Sequence, residues 1–181
     1  MQAARGTSLS PGNDHGPTAT TYVRLFALVA IAVWLADQIS KFAVVRELDG
    51  EPRVTVVPHV FWLIVTRNAG AAFSTGTGFT LILSVIAITV CAVVIRLASR
   101  LRDRGWAVGL GLLLGGAIGN LTDRLVRDPA PLKGHVIDFL QIPFGFPVFN
   151  LADTALTFAA LVIIHRTWRG VHLDGTRESG R

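Results

Sequence analysis

A small set of polar side chains has the types and spacing for acid–base chemistry. Asp138 stands between Val136 and Ile137 on one side and Phe139 and Leu140 on the other. A carboxylate in such an apolar segment is desolvated, which disfavours its charged form. Asp153 follows Asn150 at i+3. Asp37 and Lys41 are i, i+4 in the favourable acid-first order. Asn120, Asp123 and Arg124 share one helical face at i, i+3 and i+4. Two carboxylates that meet in a partly dry site repel and tend to share one proton. The charged one can deprotonate water, and the protonated one can donate to a carbonyl or a leaving amine. This is the logic of aspartic proteases, and the pair would titrate as a unit.

Each residue also has a plainer reading. Asp37 with Lys41 could be an ion pair closing a helix end. Asp123 beside Arg124 could neutralise it and tie a helix to a loop. Asn is a good N-cap, which suits Asn150, and a negative charge in a first helical turn suits Asp153. Asp138 has no such reading and no obvious local partner. Other chemistries find little support. The histidines (His15, His59, His135, His165, His172) have no metal-ligand spacing, so no metal site is expected. No serine sits in a nucleophile elbow and no glycine-rich phosphate loop follows a strand. Cys91, inside an apolar run, reads as a small packing residue.

The elements that must position these residues are membrane helices. Of 181 residues, 51% are hydrophobic and 16% charged, and mean hydropathy is +0.51, too apolar for a soluble domain of this length. Apolar stretches run over Tyr22–Val45, Gly78–Leu97, Trp106–Leu121 and Leu151–Trp168. A span needs roughly 20 helical residues, so the last two should include polar residues at the membrane boundary. The net charge of +5 comes from basic residues flanking apolar runs. No basic stripe with interleaved aromatics suggests nucleic acid.

Arg96, Arg100, Arg102 and Arg104 crowd the short loop between the second and third stretches. By the positive-inside rule this loop and both termini are cytoplasmic. Asp37, Lys41, Asn120, Asp123, Arg124, Asp138, Asn150 and Asp153 then converge on the outer face. Ionisable groups near spans usually face a bundle interior or wet cavity and are functional by default. Alternating Val54, Val56, Val57 and Phe61, Leu63, Val65, with a turn at Pro58-His59, predict short strands within 47–73. Gly111, Gly115 and Gly119 line one helical face, permitting close approach of another helix. The expected fold is an all-α membrane protein of four transmembrane helices, with a small extracytoplasmic β platform between helices one and two. Its expected parts are a disordered cytoplasmic tail (1–21), a transmembrane domain (22–168) and a cytoplasmic C-terminal tail (169–181). A transporter would place its ionisable groups near the midplane, whereas these spans are polar only at their outer ends. A purely structural membrane protein would leave Asp138 opposite Asp153 unexplained.

Five segments, in order, carry a resemblance: Asp37-Gln38-Ile39-Ser40-Lys41; Arg67-Asn68-Ala69-Gly70-Ala71-Ala72-Phe73-Ser74; Gly115 through Arg124; Gly134-His135-Val136-Ile137-Asp138-Phe139; and Phe149-Asn150-Leu151-Ala152-Asp153. The chain resembles the lipoprotein signal peptidases, or signal peptidase II. The resemblance implies an aspartic endopeptidase of the bacterial cytoplasmic membrane. It would cut prolipoproteins just before a diacylglyceryl-modified cysteine, without metal or organic cofactor, and globomycin-type inhibitors would block it. It implies Asp138 and Asp153 as catalytic, Asn68, Gly70, Asn120, Arg124 and Asn150 as substrate-binding, and Asp37, Lys41 and Asp123 as supporting polar residues. Two segments depart from the family pattern: the polar N-terminal tail, and a long stretch at 125–133 containing Asp128, Pro129 and Pro131.

Overall fold

The computed structural model describes residues 19–70 and 76–177. Most of the expected N-terminal tail, residues 71–75 of the second motif, and residues 178–181 lie outside it. Four helices form the bundle: α1 (Ala19–Leu48), α2 (Gly76–Ala98), α3 (Arg104–Val126) and α4 (Leu151–Trp168). α1 and α3 run past the apolar stretches that announce them; at the end of α3, Asp123 is paired within the protein rather than left facing lipid. Cys91 lies in an apolar core built from α1, α2 and α3, with Phe26, Val94, Leu101 and Leu110.

α3 is the central helix, packed against α1, α2 and α4. Between apolar helices in lipid there is little hydrophobic driving force, so close van der Waals packing must hold them. The glycines supply it. A methyl group on Gly115 would lie 2.7 Å from the Ala30 carbonyl and from Val33 on α1, and one on Gly116 would lie 2.7 Å from the Ala152 carbonyl on α4. The expected glycine face is therefore the α1 contact, and Gly116 makes a second one. The bundle's outward surface is apolar: Leu28, Ile31 and Leu35 on α1, Ile82, Val85 and Ile86 on α2, Phe158, Leu161 and Ile164 on α4. α1, α2 and α3 are long and apolar enough to cross a membrane. α4 falls below that composition because its 18 residues include Asp153, His165 and Arg166.

The platform is a three-stranded antiparallel sheet in the order β1 (Val54–Val57), β2 (Phe61–Asn68), β3 (Val136–Gln141). β1 and β2 are the expected strands, and the chain turns between them at Pro58–Val60. β3 corrects the expected platform, which drew its strands only from between helices one and two: the segment around Asp138 joins it as a third strand. It pairs Thr66 with Asp138 and Asn68 with Val136. Val136 to Phe139 are buried. A strand covered on both faces shows no polar–apolar alternation, so its periodicity is silent. The segment after Trp168 is a packed hairpin as far as it is described. Val171 bridges Arg177, the Trp106 indole donates to the Val171 carbonyl (2.7 Å), and Arg102 N–H donates to Leu173 (2.8 Å).

Candidate active site

The expected polar residues meet where the ends of α1 and α3, the start of α4, and β3 come together. α4 begins with a capping box: Asn150 Oδ1 accepts from Asp153 N–H (2.9 Å) and Asp153 Oδ2 accepts from Asn150 N–H (3.2 Å). Reciprocal capping satisfies two orphan donors of the first turn. It also aims the Asp153 carboxylate back toward the sheet. The Asn150 amide does a second job, donating to Asp138 Oδ1 at 2.6 Å. Asn150 thus touches both carboxylates.

Two further asparagines complete the frame. Asn120 Nδ2 donates to Asp153 Oδ1 (2.8 Å), and its Oδ1 accepts from Lys41 Nζ and Asn150 Nδ2 (both 3.1 Å). Lysine can only donate, so the Asn120 amide has one orientation in this network. Asn68 Nδ2 donates to Asp138 Oδ2 (2.8 Å), while its Oδ1 accepts from Gly70 N–H (2.8 Å). Gly70 adopts φ +96°, a turn disfavoured for side-chain-bearing residues, which folds the chain back onto Asn68. Asp138 is 2% exposed. Burial pushes its carboxyl up to about 6, the Asp153 charge adds to that, and the Asn68 and Asn150 hydrogen bonds oppose it.

Behind the asparagines lies a buried ion cluster. Lys41 Nζ is 2.8 Å from both Asp37 and Asp123, and all three side chains are fully buried. Asp37 also accepts from Ala152 N–H (3.0 Å), tying α1 to the start of α4. Asp123 Oδ2 accepts from Ile137 N–H (3.2 Å), anchoring β3 one residue before Asp138. Adjacency in the chain suggests Arg124 as the partner of Asp123. Asp123 instead binds Lys41 and Arg127, the latter at 2.7 Å. Arg124 turns toward the site, facing Asp153, Asp123 and Asp138, and donates to the Asn120 carbonyl (3.3 Å). Its buried Nε has no partner among the described residues, leaving a donor for something else.

All ten expected residues therefore fall in one neighbourhood. Sequence reasoning missed Arg127, Gln38, Thr80 and Ser84. Arg127 stands at i+4 from Asp123, the same spacing that singled out Asp37 with Lys41. Gln38 Nε2 donates to Asp37 (3.0 Å) and to the Gly119 carbonyl (3.1 Å). Thr80 donates to the Ala69 carbonyl (2.5 Å) and Ser84 to Leu132 (2.7 Å), pinning α2 to the Asn68–Gly70 turn and to the 125–133 stretch. Nothing local marks those two hydroxyls in an apolar run.

Residues 29–169 match the family model for signal peptidase (SPase) II. The lipoprotein signal peptidase of Leifsonia xyli is 47% identical over 173 residues, covering 93% of this chain and 80% of that protein. The Streptomyces coelicolor lipoprotein signal peptidase is 45% identical over 152 residues, covering 84% and 74%. A bacterial membrane enzyme solved by the in meso method superimposes with a TM-score of 0.68 at 28% identity, covering 78% of this chain and 91% of that one. A second such structure gives 0.67 at 25% identity, covering 86% and 94%. The matched range takes in α1 from residue 29 onward, the other three helices and the sheet, as expected for a multi-pass membrane protease of bacteria. The chain belongs to the signal peptidase II family.

Proposed function

We propose that the chain is an aspartic endopeptidase cutting prolipoproteins on the amino side of a diacylglyceryl-modified cysteine, with Asp138 and Asp153 as its catalytic pair. The observation that carries this reading is Asn150, whose side chain and N–H hold the two carboxylates in one network. Asp138 is buried, and its carboxyl, raised to about 6, keeps a proton well above the usual carboxylate range. Asp153 sits at the N-terminus of α4, where the helix dipole favours negative charge. Asp153 is then the base that deprotonates water as its oxygen attacks the scissile carbonyl. Asp138 protonates the amine as the C–N bond breaks. General acid–base catalysis contributes ~100- to 10,000-fold, so orientation supplies much of the rest.

Arg124, with donors left over, and the Asn68–Gly70 turn hold the substrate backbone. Asn120 and Asn150 orient the carboxylates, and Asp37, Lys41 and Asp123 support them. α4 is the fourth span, since its Phe158, Leu161, Ile164 and Trp168 form an exposed apolar face. Both termini are cytoplasmic, the site opens at the outer face, and the residues from 22 to 168 are the peptidase domain. Globomycin-type peptides compete for the same cleft.

The test is cleavage by detergent-purified protein of a precursor peptide with and without the diacylglyceryl group, read by mass. Cleavage before the cysteine of the lipidated peptide alone, lost in Asp138→Asn and Asp153→Asn, is expected. Full turnover in Asp138→Asn would remove the mechanism.

A further inference from the structure

The buried cluster behind the asparagines does not balance on the residues the family motifs supply. Asp37 and Asp123 are both fully buried, and both lean on one lysine, Lys41. A buried carboxylate left without a counter-charge is costly. The second positive charge comes from Arg127, whose Nε lies 2.7 Å from Asp123 Oδ1. Arg127 is also the C-cap of α3, and its N–H donates to the Asp123 carbonyl (3.0 Å). The chain then returns over the helix end at Gly134, where a methyl group would meet the Asp123 and Arg127 carbonyls at 2.4 and 2.5 Å.

We propose that Arg127 is a positioning residue for the catalytic pair: it completes the charge balance behind Asp138 and Asp153 and fixes the strand that carries Asp138. The inference rests on the aspartic-peptidase reading above and extends it to a residue in the 125–133 stretch.

Two consequences follow from the contacts. The first is geometric. Asp123 is held on one oxygen by Arg127 and on the other by Lys41 and Ile137 N–H. Losing Arg127 frees Asp123 to rotate and loosens β3 beside Asp138. The second is electrostatic. The charged groups facing this cluster are Asp37 and Lys41 from α1, Asp123 and Arg124 from α3, Asp138 from β3 and Asp153 from α4. On the far side of Arg127 lies a cavity of about 540 Å³ lined by Arg67, Asp128 and His135 among others. Arg67 is already paired bidentately with Asp49. Inside the cluster, four carboxylates face three cations, so it is neutral when it holds a single proton. Asp37 and Asp123 each lie 2.8 Å from Lys41 Nζ, whereas Asp138 and Asp153 have no ion-pair partner among the described residues. Acid–base catalysis by two carboxylates needs that one proton. Without Arg127, neutrality requires two.

The experiment compares pH profiles of kcat/KM for lipidated-peptide cleavage by the native chain, Arg127→Gln and Arg127→Lys. Removing a cation disfavours ionisation, so both limbs of the Arg127→Gln profile should move to higher pH, by roughly 0.5–1 unit. Arg127→Lys should restore the native profile in part. A merely structural role would lower the rate with the limbs unmoved, and that result overturns the proposal. The titration of the Asp138 carboxyl, followed by infrared difference against Asp138→Asn, gives the same answer without cleavage. A native chain that does not cleave, with a carboxyl titration that still moves in Arg127→Gln, would remove the peptidase reading and leave the charge-balancing role standing. Cleavage by the native chain with neither profile nor titration moved by Arg127→Gln would remove Arg127 alone.

Discussion

The two ends of α3 solve the same problem in different ways. At its start, Asp103 caps the helix by accepting from Trp106 N–H (2.9 Å) and binds Arg166 of α4, one acid against one base, both partly exposed. At its other end, Asn120, Asp123 and Arg124 join a network in which carboxylates outnumber cations and several groups are wholly buried. The first arrangement closes a bundle. The second leaves Asp138 and Asp153 without an ion-pair partner among the described residues, and gives each of their oxygens a hydrogen-bond donor instead. An unmatched, hydrogen-bonded carboxylate is what separates a site for chemistry from a structural clamp.

That contrast can be broken or sharpened by substitution. The largest effect is expected at the unmatched carboxylates: Asp138→Asn or Asp153→Asn should lower cleavage by about 1,000-fold with the helical circular dichroism unchanged. A comparable loss from Asp103→Asn would erase the distinction. Next in size is Lys41→Met, which leaves buried Asp37 without a counter-charge and Asp123 with Arg127 alone, and should cost roughly 3–5 kcal/mol in detergent unfolding.

The pH dependence of stability comes third. The folded Asp138 carboxyl, at about 6, lies above its ordinary value of 3.8. The folded state therefore binds this proton more tightly, and the contribution is complete below pH 3.8 and lost as pH rises through 6. The native chain should lose on the order of 2–3 kcal/mol over that interval. Asp138→Asn should not, and equal pH slopes for the two would contradict the desolvated carboxylate. Gly115→Val should then cost roughly 1–3 kcal/mol by driving α1 from α3, read as a lowered thermal midpoint. Smallest is Asp103→Asn, where a part-exposed pair is worth up to about 1 kcal/mol and cleavage should be unaffected.

Much of this was legible in the chain. Helices α1, α2 and α4 sit within three residues of their apolar stretches at both ends, because long apolar runs admit few other structures in lipid. The i, i+4 pair Asp37–Lys41 and the isolated carboxylate at Asp138 were visible as local patterns, and five motifs agreed with them. Two kinds of feature stayed hidden. β3 is too short and too uniformly buried to show a period. The partner of Asp123 was misread because adjacency in sequence favoured Arg124, whereas neighbours on a helix stand three and four residues apart. Thr80 and Ser84 carry no sequence mark, since their partners are backbone carbonyls of distant loops.

By itself, then, the sequence determined that this is a membrane protein, which residues carry charge into it, and which of them share a helix face. Those are consequences of composition and of the 3.6-residue repeat, both local. The tertiary structure decided who pairs with whom. Asn150 reaches Asp138 across the β3–α4 connection, Lys41 bridges α1 to α3, and Arg127 turns a surplus buried charge into a balanced one. Such choices depend on distances between elements far apart in the chain, and in a low-dielectric interior a difference of one hydrogen bond decides whether a charge can be buried at all.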